Sequence, residues 1–329
     1  MTGFIAFIKG LVAVIMSVLN FFFWPVFGDF TAATTPLKED CRLNFAAISD
    51  IHMKDETARR DMLAFGLQDM ENSQHSLDAL ICAGDLTDHG EKEEWEMLAE
   101  AFSGYTPAEN IILTQGNHDT WTGDDDYALS VKHFIEYNEV IAGREIEKVY
   151  YSTKINGYTF IVMGSESDHT YAVFSQEQID WLDKEMETAS KDGLPIFVIS
   201  HWPINESHGL PVTWGDDEPE PDDGGMGDQS AQVEEVLKKY ENVFLISGHI
   251  HNGLTNESQE DVYDYVSVES DGSFHSVNLP SYMYLSIRGR IANGTGLNFE
   301  VYDDEVVIRA RSYSAGVWYT DYNYTIELV

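Results

Sequence analysis

Basic residues are scarce in this chain. Lysine and arginine total 19 against 57 aspartates and glutamates, a formal net charge of -38 over 329 residues. A nucleic-acid duplex or an anionic lipid surface needs a positive footprint, so this balance excludes wrapping around either. A solvated acidic surface, a salty habitat and cation capture all remain compatible with it. Cysteine is almost missing too, with only Cys41 and Cys82. If the strands bearing them run parallel with Asp50 and Asp85 level, the sulfurs are offset by six residues, about 20 Å, and do not pair. Long polar tracts are few, and hydrophobic residues at 43% exclude a disordered chain.

Residues 1 to 28 lack charge almost entirely: Lys9 is their only charged residue, and the 19 residues from Gly10 to Gly28 have none. About 20 apolar helical residues cross a hydrocarbon core, so residues 1–33 read as an N-terminal membrane anchor or a long signal peptide. Thr31-Ala32-Ala33 would pass as a small-residue cleavage site, whereas the apolar stretch exceeds an ordinary signal core. In both cases the remainder of the chain is expected to be exported, with membrane contact only through this segment. A buried helix is the less favoured alternative, because the segment is apolar all round rather than striped.

From Leu43 onward, short apolar runs alternate with amphipathic stretches. Runs at 43–49, 77–84, 110–116, 158–164, 195–200 and 242–247 read as buried strands. Trp95, Leu98 and Phe102, then Ile179, Leu182 and Met186, then Val233, Val236, Leu237 and Tyr240 recur at helical spacing between them. This is an α/β order, with a β-rich part from about residue 253 expected to pack on the same core, so that 43–329 forms one domain. No fixed-period repeat is present. One acidic, Pro- and Gly-rich stretch, 214–228, reads as a solvated loop, with calcium capture or a lid as the alternatives.

Open α/β sheets bind ligands at the carboxyl ends of their strands. Five of the six runs end in groups suited to a divalent cation: Asp50 and His52; Asp85; Asn117, His118 and Asp119; His201; His249 and His251. Imidazole, carboxylate and amide oxygen suit borderline to hard metals, and cysteine is missing from the set, which disfavours a thiolate site. On extended backbone, side chains at i and i+2 share a face, so each D-x-H or H-x-H pair can converge on one cleft.

In this order, "DIH", "GDLTDHG", "GNHD", "SHWP" and "GHIH" resemble the five signature blocks of the calcineurin-like metallophosphoesterase family. "GDLTDHGEKEEWEML" and "QEQIDWLDKEM" are similar to the branch with cyclic-nucleotide phosphodiesterases and purple acid phosphatases. The resemblance implies two packed mixed β-sheets flanked by helices. It also implies two divalent metal ions, with manganese, iron and zinc all compatible. One ion would be held by Asp50, His52, Asp85 and His251, the other by Asp85, Asn117, His201 and His249, with Asp85 bridging. His118 would be the catalytic histidine and Asp119 the acid that orients it. Asp88 stands where purple phosphatases carry their colour-giving tyrosine, so a purple iron site is not expected.

The implied function is hydrolysis of a small phosphate ester, diester ahead of monoester, by in-line attack of a metal-bridging hydroxide with His118 as general acid. A monoesterase or nucleotidase, or a non-catalytic metal-binding interaction protein, is the alternative. His75, His133 and His275 are expected to be surface or packing residues, while His89, His169 and His208 are weaker candidates for substrate contact. Trp121 and Trp202 flank the blocks and could stack on a base or pack against the site. Asn205, Asn256, Asn293 and Asn323 head N-x-S/T sequons. No motif speaks to the oligomeric state.

Overall fold

The computed structural model describes residues 31, 37–122, 126–167, 170–214, 220–255, 265–272, 274–283 and 293–329. The apolar segment 1–28 lies outside the described residues, as do His169 and Asn256. Among the described residues, no helix is long and apolar enough to cross a membrane.

The six apolar runs do form strands, but they divide equally between two sheets. In the first, β1 (Leu43–Ile48), β2 (Ala79–Ala83) and β3 (Asn110–Thr114) run parallel. In the second, β5 (Tyr158–Val162), β6 (Ile196–Ile199) and β7 (Val243–Ser247) run parallel, and β4 (Tyr151–Ile155) closes the edge antiparallel to β5. The C-terminal strands make no sheet of their own. They extend the edges of both: β8 (Val268–Asp271) and β9 (Phe274–Asn278) follow β7, whereas β10 (Thr295–Val301), β11 (Glu305–Ser312) and β12 (Val317–Glu327) follow β1.

β1, β2, β5, β6 and β7 are buried at every position because both their faces are covered. Phe45 and Ala47 on β1 point between the sheets, where Phe160, Phe197, Phe244 and Phe299 meet them. Phe45 stacks on Phe299 at 4.6 Å and meets Phe197 edge-on at 4.9 Å. Ala46 and Ile48 point the other way, toward helices α1 (Thr57–Glu71), α2 (Lys92–Ser103) and α3 (Tyr127–Ala142). Helices α4 (Gln176–Ser190) and α5 (Ser230–Leu237) cover the outer face of the second sheet. The Trp95 and Ile179 stripes thus bury as their periodicity predicts. Cys41 is partly exposed and Cys82 buried, and both are free; Cys82 is level with Ile48, seven residues beyond Cys41.

The stretch 214–228 departs from a solvated loop. Residues 215–219 lie outside the described set, but Met226 is buried against the second sheet's helices. Asn205 clamps Gly227 by donating to its carbonyl at 3.0 Å and accepting from its amide at 3.0 Å. That engagement also leaves the Asn205 amide spoken for at its sequon.

Candidate dinuclear metal centre

The parallel strands of both sheets end at the same rim, and the seven predicted ligands lie there. β1 and β2 lead into Asp50, His52 and Asp85, β3 into Asn117, and β6 and β7 into His201, His249 and His251. The two sheets are tied across the rim. The amide of His249 reaches both oxygens of Asp50 at 3.3 Å. His201 Nδ1–H donates to the Ala83 carbonyl of the opposite sheet at 2.8 Å. That bond fixes the tautomer and turns Nε2 toward the cleft, as outer-shell partners of metal-binding histidines do.

Two of the donor groupings at this rim share Asp85, and a third brings His118 together with His52 and Asp88. Asp50, His52, Asp85 and His251 offer ligand atoms mutually within 4.8 Å, and so do Asp85, His201 and His249. Within the first, His52 Nε2 faces His251 Nε2 at 3.1 Å, and His251 Nε2 lies 3.1 Å from Asp50 Oδ1. Within the second, His249 Nδ1 faces His201 Nε2 at 3.2 Å, which is itself 3.2 Å from Asp85 Oδ2. Asn117 Oδ1 is buried without a hydrogen-bond partner and borders the cleft. A buried acceptor left unpaired is costly, so its placement beside these donors fits a cation as the missing partner. The donor chemistry fits two divalent ions on the same grounds.

Forming this rim strains the backbone. Asp50, His52, Asp85, His249 and His251 all take φ between 45° and 74°, a left-handed conformation costing a non-glycine residue roughly 1–2 kcal/mol. Five of the seven predicted ligands pay it, and these five leave their strands at sharp turns into the cleft. Two glycines make room. Gly84 has φ 88°, and a Cβ there would lie 2.5 Å from the His201 ring; a Cβ on Gly116 would lie 2.2 Å from Asp85 Oδ1.

The charges show what the cleft demands. Burial opposes ionisation of Asp50, yet the neighbouring His251 and His201 outweigh it and hold the carboxyl at about 2. Burial likewise opposes the charge on Asp85, and His201 and His118 hold it well below the usual carboxylate range. In return, although burial disfavours the imidazolium, Asp85 and Asp50 push His201 up to about 9, and Asp50 raises His251. Burial lowers His52, and burial with the His201 charge pulls His249 well below its ordinary value. Proton affinity thus rises at His201 and His251 and falls at His52 and His249, and the buried carboxylates call for positive charge beside them.

His118 lines the cleft but belongs to neither set. Its ring meets His52 edge-on at 4.4 Å, and Nδ1–H donates to the backbone carbonyl of Asp88 at 2.7 Å, leaving Nε2 as its free end. The expectation that Asp119 orients His118 is corrected. Asp119 is fully buried and turned away, accepting from the amides of Leu86, Thr87 and Gly116 and from the Thr87 hydroxyl at 2.6–3.1 Å. Its carboxylate pins the turns after β2 and β3 together. Burial and the Asp85 charge push it up to about 6 while these donors hold the anion.

Asp88 was passed over as a functional residue in the sequence. Besides lending its carbonyl to His118, its carboxylate lies 3.5 Å from His52 Nδ1 and pairs with Lys54 at 3.0 Å and Arg59 at 3.1 Å. The signal was its place three residues after Asp85. Trp214, a wall of the cleft, had no signal, since thirteen positions separate it from His201. Trp202 is buried, and Trp121 packs on His118 with ring centroids 3.9 Å apart. His208 is buried away from the cleft, His133 and His275 are packing residues, and His89 is exposed beside Asp88 and Glu94.

A family model described as calcineurin-like phosphoesterase matches residues 43–253. The chain belongs to the calcineurin-like phosphoesterase family. It is 27% identical over 182 residues to a Rhodococcus erythropolis protein named "Probable cyclic nucleotide phosphodiesterase", covering 54% of this chain and 52% of that one. It is 22% identical over 224 residues to a 3',5'-cyclic-nucleotide phosphodiesterase of Nostoc sp., covering 65% and 74%. The chain thus spans about half the length of the Rhodococcus relative. In fold it resembles a dimetal phosphatase from Danio rerio, with a TM-score of 0.60 and 14% identity over 88% of this chain and 100% of that one.

Two outcomes are expected. Asp119→Ala strips the partner from four donors and destabilises the protein by at least about 2 kcal/mol in urea titration, with loss of metal. Had Asp119 merely oriented His118, metal and stability would stay. Manganese uptake at pH 7 displaces the His201 proton, with a further contribution from His251. Calorimetry in buffers of differing ionisation enthalpy should detect at least one proton released, and the release fading as pH rises past about 9.

Proposed function

We propose that this protein hydrolyses phosphate esters, diesters ahead of monoesters, at a pair of divalent ions bridged by Asp85. The observation that carries the reading is the sharing of Asp85 between two donor sets, with the buried, unpaired Asn117 Oδ1 at the same cleft. Asp50, His52, Asp85 and His251 would hold one ion, and Asp85, Asn117, His201 and His249 the other. When bound, such ions lower the pKa of water and polarise phosphoryl oxygens.

The chain's own groups do the rest. His201 is held by the Ala83 carbonyl so that Nε2, not Nδ1, faces the cleft. The His118 amide donates to Asp85 Oδ1 at 2.9 Å, which keeps one oxygen of the shared carboxylate from rotating. With Nδ1–H committed to the Asp88 carbonyl, His118 protonated at Nε2 delivers that proton to the departing alkoxide. Trp121 against its ring limits the orientations open to it.

Preference for diesters rests on charge. Among the described residues, no lysine or arginine lines the cleft, so the second negative charge of a monoester finds no dedicated cation in the protein. The names of the Rhodococcus and Nostoc relatives agree with a diester. Manganese, iron and zinc all tolerate this ligand set.

The test is His118→Ala, assayed with manganese on diesters of graded leaving-group acidity. Turnover of poor leaving groups should fall by about 10² to 10⁴, activated leaving groups should lose far less, and metal content should remain two per chain. Loss of metal instead would make His118 a ligand, and uniform loss across leaving groups would deny it the acid role.

A further inference from the structure

Trp214 ends a stretch, 204–214, that is fastened at several points. His208, fully buried within that loop, donates from Nδ1 to the Val266 carbonyl at 2.6 Å, and its Nε2 lies 2.8 Å from the Ser276 hydroxyl. Its amide donates to Glu269 at 2.9 Å. Leu210 is buried with Ile250 and Tyr265 in a small satellite core, and Trp214 packs against it. Within the loop, the Trp214 amide donates to Pro211 and the Thr213 amide to Gly209. These bonds hold the indole in one place, with its ring stacked on His249 at 4.8 Å and 23°.

The cleft it borders holds about 170 Å³. That is small for a small-molecule site, and the cleft is open to solvent, so an ester held at the donors has Trp214 and Ile250 within its reach. The lining is one-sided: Asp85, Asn117 and the histidines are polar, and Trp214 with Ile250 supplies the apolar wall. The three tryptophans near the blocks differ in this respect. Trp202 is buried, Trp121 packs on His118 without lining the cleft, and Trp214 is half-buried with its ring on the cleft.

We propose that Trp214 is a specificity-determining residue: a rigid apolar wall beside the second donor set that selects phosphoesters carrying a flat aromatic group next to the phosphorus. This rests on the phosphoesterase reading and sharpens it. A flat ring meets the indole at small entropic cost because the loop is already ordered, whereas a flexible alkyl group gains less contact and loses more freedom.

The experiment uses non-hydrolysable probes of equal charge, phenylphosphonate and ethylphosphonate, with inorganic phosphate as reference. Binding to the full chain loaded with manganese is measured by calorimetry, so no turnover is needed. The wild-type protein should bind phenylphosphonate about tenfold more tightly than ethylphosphonate, within the range that aromatic stacking supplies. In Trp214→Ala the two affinities should converge to within about twofold, while phosphate affinity and metal content stay at wild-type values; Trp214→Phe should keep most of the preference. An unchanged preference in Trp214→Ala overturns the proposal, as does loss of metal or of phosphate affinity, which would make the indole a prop for His249. Phosphate failing to bind the wild-type protein at all would sink the phosphoesterase reading itself, and this proposal with it.

Discussion

Asp85 stands, fully buried, between two groups of imidazoles, and the rest of the molecule is arranged around making that tolerable. Two buried carboxylates, Asp50 and Asp85, cannot remain ionised without positive charge close by. The carboxylates raise the proton affinity of His201 and His251 beside them. The same positions suit divalent cations better, because Asn117 Oδ1 finds no hydrogen-bond donor and five ligand residues adopt strained backbone to point inward. The strain and the unpaired oxygen are costs that a bound ion offsets. The large aromatic core between the sheets, with Phe45 at its centre, is what can hold the chain in so unfavourable a rim.

The sheets matter because neither carries a whole site. Asp50, His52, Asp85 and Asn117 follow strands of one, and His201, His249 and His251 follow strands of the other. Hydrogen bonds from His249 to Asp50 and from His201 to Ala83 join them directly over the cleft. Each donor set draws on both sheets, so a shift of one sheet on the other would pull both sets apart. Chemistry and packing are therefore coupled through the sandwich, and the buried carboxylate of Asp119 extends the coupling to the turns behind β2 and β3.

Much of this was legible in the sequence, and for a physical reason. Strands buried on both faces read as unbroken apolar runs, so the polar groups ending them stand out, and seven of those groups do meet at one rim. Helices α2, α4 and α5 were visible through their stripes. What escaped were relations set by turns and loops. The six runs look alike, and nothing in their composition shows that β1 to β3 and β5 to β7 belong to different sheets. Asp119 sits beside His118 in the chain, which made a partnership plausible, but a 3-10 turn over His118–Thr120 sends the two side chains in different directions. Asp88 and Trp214 reach the cleft by paths that periodicity cannot trace. The acidic stretch 214–228 hid a buried methionine behind its charge.

The central claim is that two cations share Asp85. Anomalous diffraction from a crystal of the full chain soaked in manganese measures this directly. The account predicts two peaks, both in contact with Asp85, one also against His52 and His251 and the other against Asn117, His201 and His249. A single peak, or two peaks that do not share Asp85, would contradict it.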